Sequence, residues 1–403
     1  MSWSRARLNI SGPLAPYFAG FTQWLGRKGY ASAVVRIHQR RMMHLSYWMG
    51  AEQKDIAAFG LATVDAFIAV QAAAGSFKTW RAGSWTELLE YLRFVGVPVA
   101  ERPKPVMTAA DALLARYACY EVTQRGLSVR TIDRTILALG PFVASRMRGD
   151  RLELETLCAS EVTAFVVDRT RRDPGSVAHL VTALRSLLRY LHVAGVTPVG
   201  LATAVPTLTR WKLSGLPKAL PADQVAALLA SCDLNTEVGQ RDMAILTVLS
   251  RLGLRIGEVA GLRLEDIDWR TGELAVTGKG RTERLPLPAD VGAAVVSYVT
   301  EWRPKTDARQ VFLCAYAPHG PMARNTVTNV VARAARRAGL GVVHAHRLRH
   351  SAATAMLTAG ASLAEIGQVL RHQHALTTTI YAKVDVGSLR QVARSWPGSE
   401  VAA

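Results

Sequence analysis

His344-Ala345-His346-Arg347-Leu348-Arg349-His350 runs directly into the small-residue stretch SAATAMLTAG (351–360), and this segment governs how the rest of the chain is read. Its composition predicts a helix. On a helix, His346, Arg349 and His350 stand at i, i+3 and i+4, so their side chains leave on one face. That face sets a guanidinium beside groups that titrate near neutrality. Such a pair suits a phosphodiester, because the guanidinium can hold non-bridging oxygens through paired donors while an imidazole relays a proton. Imidazoles at this spacing also bind zinc. No cysteine lies nearby, however, and the nearest following acid is Glu365, which weighs against a metal site.

Working outward, three more clusters carry chemistry. Downstream stand Leu370-Arg371-His372 and, nine residues after that histidine, Tyr381 within TTTIYAK (377–383). Upstream, the apolar helix MAILTVLSRL (243–252) is stopped by Gly253, and Arg255 follows with Glu258 three residues on. Between them lies the chain's only clear β signal: ELAVT (273–277) alternates, Gly278-Lys279-Gly280 turns, and RLPL (284–287) returns. Each feature has a plainer reading taken singly. Arg255 and Glu258 can be a structural ion pair, Tyr381 a core residue, and His372 a hydrogen-bonded structural histidine.

Taken together, in this order, the clusters resemble the tyrosine recombinase (phage integrase) family from about Leu216 to Trp396. That family combines an arginine in an L-x-R-x-x-E setting, a hairpin lysine, an H-x-x-R box, an L-G-H box and a tyrosine nine residues after that histidine. The resemblance implies that Tyr381 attacks a scissile phosphate and becomes a covalent 3′-phosphotyrosine. Arg255 and Arg349 would clamp the transition state, an electrostatic role that gains strength where water is excluded. Lys279 would protonate the departing 5′-oxygen, His346 would serve the tyrosine hydroxyl as acid and base, and His372 would donate to a non-bridging oxygen. Glu258 and His350 would support these groups, and neither metal nor cofactor is implied. Two points depart from the pattern or leave it open. Arg371 replaces the usual glycine, and Arg281 and Arg284 share the hairpin with Lys279.

The front half repeats itself. WLGRKGYASAVVRIHQRRMM (24–43) aligns with VTQRGLSVRTIDRTILALG (122–140) around Gly29 and Gly126, and LLEYLRFVGV (88–97) matches LLRYLHVAGV (187–196). Ser32 and Ser128 are expected helix N-caps, and Gly96 and Gly195 are expected C-terminal glycines. Proline-rich joints, PVAERPKP (98–105) and PTLTRWKLSGLPKALP (206–221), separate the units. The expected architecture is therefore mainly α with a small β-hairpin. Residues 1–103 and 104–212 would be tandem helical domains, and 213–403 the catalytic domain. Both helical copies resemble the family's SAM-like DNA-binding domain, the second (108–201) most clearly. After the tyrosine, VDVGSLRQVARSW (384–396) has apolar residues at helical spacing. In this family such a tail docks on the next protomer of a tetramer.

Charge agrees with a polyanionic partner. The 403 residues hold 49 Lys+Arg against 31 Asp+Glu, a formal charge of +18. Up to Gly215 there are 27 basic and 15 acidic residues, net +12; the remainder has 22 and 16, net +6. An apolar fraction of 49% excludes a disordered basic tail, so the charge belongs on folded surfaces that suit nucleic acid. No apolar run reaches membrane-spanning length, and a cytoplasmic, nucleoid-associated protein is expected. The cysteines at 119, 158, 232 and 314 form no CxxC pair and read as four buried thiols. The expected partners are duplex recombination sites, a homotetramer on two duplexes, and sister recombinases or accessory proteins. A type IB topoisomerase that relaxes supercoils as a monomer would use the same groups, and a catalytically idle DNA-binding regulator is the third reading.

Overall fold

The computed structural model describes residues 10–75, 82–101, 107–207, 217–278, 281–372, 374 and 377–384. The chain divides into two units, one of Pro103–Lys212 and the other of Met1–Arg102 together with Leu213–Ala403. Apolar side chains gather into separate cores along the sequence.

The first core lies among α1 (Phe18–Arg27), α2 (Ser32–Ala51), α3 (Leu61–Ala73) and α4 (Thr86–Phe94). The second lies among α5 (Ala109–Thr123), α6 (Val129–Ala144), α7 (Ala159–Arg172) and α8 (Val177–Val193). The repeated string buries the same face in both copies. Leu88, Leu89 and Leu92 of α4 are buried, as are Leu187, Leu188 and Leu191 of α8. Each fully buried leucine contributes about 1.5–3 kcal/mol of apolar transfer. Gly96 and Gly195 both take positive φ, +80° and +70°, so each closing helix ends in a left-handed turn. A polar contact is repeated as well. Lys28, just before Gly29, reaches Glu87 at 2.8 Å, and Arg125, just before Gly126, reaches Ser186 at 2.8 Å. Glu87 and Ser186 each stand immediately before the Leu-Leu pair.

Local details differ from expectation at three places. Ser128 does cap α6, accepting from the Thr131 N–H, but Ser32 is already the first residue of α2 and extended Ala31 occupies the cap position. A two-residue ribbon, β1 (Met147–Arg148) with β2 (Arg151–Leu152), turns at Gly149 and is too short to leave an alternating pattern. Of the cysteines, only Cys232 is buried. Cys119 and Cys158 are exposed and Cys314 is half-buried, because Cys119 falls on the outer face of α5 and Cys158 at the start of α7.

The third core is built on α9 (Ala222–Ala230) and α10 (Glu237–Arg251). Every residue from Ala244 to Ser250 is buried, so α10 is wrapped on all sides. The short α11 (Ile256–Gly261) leads into a three-stranded antiparallel sheet, β3 (Ile267–Asp268), β4 (Glu273–Gly278) and β5 (Arg281–Pro286), in that order. The β4–β5 register runs from Glu273↔Pro286 to Gly278↔Arg281, so the hairpin turns at the expected place. Then come α12 (Ala289–Ser297), α13 (Arg324–Arg337), α14 (Ala345–Thr358) and α15 (Leu363–Val369). The sequence from Asp290 on reads as helices, yet the chain between α12 and α13 is largely irregular. Among the described residues, no helix is long and apolar enough to cross a membrane.

Candidate active site

The two predicted arginines come from different elements. Arg255 stands at the N-terminus of α11 in extended conformation (φ −75°, ψ +148°), just past the left-handed Gly253 (φ +58°) that stops α10. Any side chain at Gly253 would collide with Leu370, since a Cβ there would lie 2.6 Å from its Cδ2. This close approach lets the loop meet Arg349 of α14. The buried Arg349 donates from Nη1 to the Gly253 carbonyl at 2.6 Å and from Nη2 to the Leu370 carbonyl. Burial, then repulsion from Arg255 and Arg371, lowers its pKa to about 10, so it stays charged at neutral pH. Arg255 donates from Nη1 to Glu258 Oε1 at 2.7 Å and from Nη2 to the Arg371 carbonyl at 3.1 Å, while its side chain keeps 38% exposure.

Glu258 is the buried hub. Its Oε2 accepts from the Arg255 backbone N–H at 2.8 Å and from Arg371 Nη2 at 2.7 Å. Burial alone would raise its pKa, but the Arg255 N–H and the Arg371 charge hold it below the usual carboxylate range. The expected support role for Glu258 is thus given a partner that motif matching leaves out. The only signal of it in the sequence is Arg371 itself, standing where the family pattern has glycine.

Tyr381 lies on a short 3₁₀ turn, Thr379–Val384, with 2% exposure. Its hydroxyl is 2.9 Å from His350 Nδ1 and donates to it when the ring carries its proton on Nε2. Of the two histidines on this face of α14, His350 is therefore the one that touches the hydroxyl, and exposed His346 sits beside it at 4.6 Å between ring centroids. One helical turn further along α14 brings position 350, rather than 346, to the tyrosine's level. Burial, the neighbouring His346 and Arg349 push the His350 pKa down to about 4. His346 is also lowered, by loss of hydration on its inner side and by the charges of Arg349 and Arg255. Burial raises the Tyr381 hydroxyl, and Arg349 opposes that rise.

His372 follows Arg371 directly and bonds through Nδ1 to Thr378 Oγ1 at 2.7 Å. Burial and the surrounding arginines lower it to about 4. Its ring lies parallel to that of Tyr381, centroids 6.5 Å apart. Thr378 has no standing in the motif; its buried place two residues into TTT gives it this contact.

The hairpin closes the site. Gly278 and Arg281 line a pocket of about 110 Å³ with Arg255, Glu258, Arg371 and His372. Lys279 lies outside the described residues, as does the tail from residue 385 onward. Of the hairpin's alternative cations, Arg281 faces the pocket, whereas Arg284 pairs with Glu273 at 2.8 Å. Among the described residues, no group of three or more His, Cys, Asp or Glu is placed to hold a metal ion. Arg255, Arg281, Arg371 and the His372 imidazole line this pocket together with Glu258 and Glu283, and Tyr381 stands against His372, an arrangement that suits an anion meeting an oxygen nucleophile.

Comparison with known proteins bears on family and fold. Residues 218–387 match the model of the phage integrase family. A putative integrase/recombinase of Sinorhizobium fredii, y4rA, is 36% identical over 399 residues, covering 96% of this chain and 95% of that protein. The tyrosine recombinase XerD of Listeria monocytogenes is 31% identical over 291 residues, 70% of this chain and 96% of its own. Among solved structures, the XerH site-specific recombinase in a post-cleavage complex with palindromic difH substrate shares the fold. It has a TM-score of 0.58 at 17% identity and covers 73% of this chain and 98% of its own.

Proposed function

Because this chain belongs to the phage integrase family of tyrosine recombinases, we propose that it cuts and rejoins duplex DNA at specific sites through a covalent phosphotyrosine on Tyr381, moving a mobile element. The Tyr381 oxygen attacks phosphorus, its proton passes to the His350–His346 pair, and the bond to the 5′-oxygen breaks. That oxygen takes a proton from Lys279 and leaves as a hydroxyl. Attack of a 5′-hydroxyl on the phosphotyrosine then reverses the step, so the phosphodiester bond is conserved and neither ATP nor a metal is consumed. Arg255 and Arg349 stabilise the charge that develops on the non-bridging oxygens, and His372 donates a further hydrogen bond.

The observation that carries this reading is the 2.9 Å contact between a buried tyrosine hydroxyl and a neutral imidazole, beside a pocket walled by arginine. Residues 1–103 and 104–212 act as duplicated helical DNA-binding domains and 213–403 as the catalytic domain. The repeated Lys28–Glu87 and Arg125–Ser186 contacts support the duplication. Four protomers bring two duplexes together, joined by the tail after Tyr381. Binding falls steeply with salt, since phosphate contacts release counterions.

Tyr381→Phe tests the reading. With duplex DNA from the regions flanking the gene, the unmutated chain should leave a covalent protein–DNA band on a denaturing gel. The variant should bind in a native gel yet leave none. An undiminished band from Tyr381→Phe would refute the nucleophile, and no band from the unmutated chain would refute the reaction. Relaxation of a plasmid bearing one site, without exchange between two, would favour a topoisomerase.

A further inference from the structure

Arg371 is one of two non-glycine residues with positive φ among those described, at +55°, in a region that glycine enters freely and a long side chain does not. The family pattern has glycine at this position. An arginine that tolerates this backbone needs a compensating contact, and the structure supplies several. Its Nη2 meets Glu258 Oε2 at 2.7 Å and its Nη1 meets the Val369 carbonyl at 3.0 Å, with 5% side-chain exposure on both Arg371 and Glu258.

The same residue touches Arg255 by a second route, because the Arg371 carbonyl accepts from Arg255 Nη2 at 3.1 Å. Arg255, Glu258 and Arg371 therefore close a ring, carboxylate on one side and carbonyl on the other. The carbonyl just before it, that of Leu370, receives Arg349. The reversal at Arg371 thus presents consecutive carbonyls to both arginines of the site. The ring's charge is also informative. Glu258 with Arg255 alone would sum to zero, and a buried carboxylate would draw on the cation that must face the phosphate. With Arg371 the three groups keep one net positive charge.

We propose that Arg371 is a positioning residue: it shares Glu258 with Arg255, so that Arg255 is held in place while its charge remains available to the scissile phosphate. Arg371 borders the same pocket, but its two terminal nitrogens are committed to the Val369 carbonyl and to Glu258. This inference rests on the phosphotyrosine reading and would fall with it.

The test measures the rate of adduct formation in a single turnover, using the full chain and a nicked duplex from the gene-flanking region that the unmutated chain labels. Arg371→Gly should slow the adduct about tenfold to a hundredfold, the effect of one hydrogen bond to a charged group. DNA affinity should stay within about threefold and the melting temperature should not fall, since glycine accepts the left-handed backbone. Arg371→Lys, which keeps the charge and loses the forked geometry, should recover part of the rate. Adding Glu258→Gln to Arg371→Gly should leave the rate no lower than Arg371→Gly alone, because the carboxylate that neutralises Arg255 has gone. A rate for Arg371→Gly equal to the unmutated chain would overturn the inference and leave the phosphotyrosine reading intact. So would a loss matched by lower melting temperature, or a double variant whose two losses multiply. No adduct from the unmutated chain would overturn both.

Discussion

The two sides of the site are built differently. On the cationic side, Arg255, Glu258, Arg371 and Arg349 are tied to one another and to the Gly253, Val369, Leu370 and Arg371 carbonyls through seven hydrogen bonds. On the nucleophile's side, Tyr381 sits on a single 3₁₀ turn, and its hydroxyl meets His350. Charge that must stabilise a transition state gains from being fixed beforehand, because no reorganisation is needed as the reaction proceeds. A nucleophile that must move from a bond with imidazole to a bond with phosphorus gains from a hold that can be released. The contrast predicts that removing a buried donor from the cationic side damages both rate and fold, Arg371→Gly excepted because glycine accepts the left-handed backbone there, whereas changes on the nucleophile's side damage rate alone.

Arg349→Ala should give the largest effect of those that test this contrast. It removes a buried cation and leaves the Gly253 and Leu370 carbonyls without their donor. Adduct formation should fall about a thousandfold, as when a preorganised donor is lost. Stability should fall by about 1–3 kcal/mol for the unpaired polar groups, visible as a lower midpoint in urea. A large rate loss at unchanged midpoint would mean that the cationic side is not the rigid framework described.

Much of this site is legible in the sequence because its parts are local. His346, Arg349 and His350 share a face through helical spacing alone, and Gly253 marks the end of α10 through the left-handed backbone it permits. The hairpin announces itself by alternation and a glycine turn. What spacing cannot reveal is contact between elements far apart in sequence. Which histidine meets Tyr381 depends on how the turn at Thr379–Val384 packs on α14, and the sequence expectation settled on His346 where the hydroxyl lies on His350. Arg371 and Glu258 are 113 residues apart, so their bond is invisible to any local pattern. The ribbon at 147–152 is missed for a different reason, being shorter than any period.

His350 tests the nucleophile's side directly. Its pKa near 4 keeps the ring neutral at physiological pH and able to accept the Tyr381 proton. An unfolded histidine titrates near 6.5, so on acidification the unfolded chain binds a proton before the native chain does. Stability should therefore be level above about pH 6.5 and decline as pH falls from there toward 4, with His372 acting in the same direction. NMR titration of the free chain's imidazole carbons should show a His350 midpoint at about pH 4, and a midpoint near 6.5 would show that neither burial nor the neighbouring charges act on the ring. His350→Ala should slow adduct formation about a hundredfold, the usual range for a lost general base, and leave the urea midpoint nearly unchanged.

The smallest effect is expected at Thr378, whose hydroxyl orients His372 at 2.7 Å. Thr378→Val keeps the buried shape and removes that hydroxyl, so the ring loses its anchor while its neighbours stay packed. A single neutral hydrogen bond is worth about 1 kcal/mol, which corresponds to a rate loss of roughly fivefold. The comparison with Arg349→Ala then becomes quantitative. If the threonine's hydroxyl merely steadies a side that must adapt, the variant should be mildly slow and fold normally. A loss approaching that of Arg349→Ala, together with a lower urea midpoint, would show that His372 and Tyr381 form a second rigid frame. In that case the tyrosine would reach phosphorus by movement of its whole turn rather than by release of one bond.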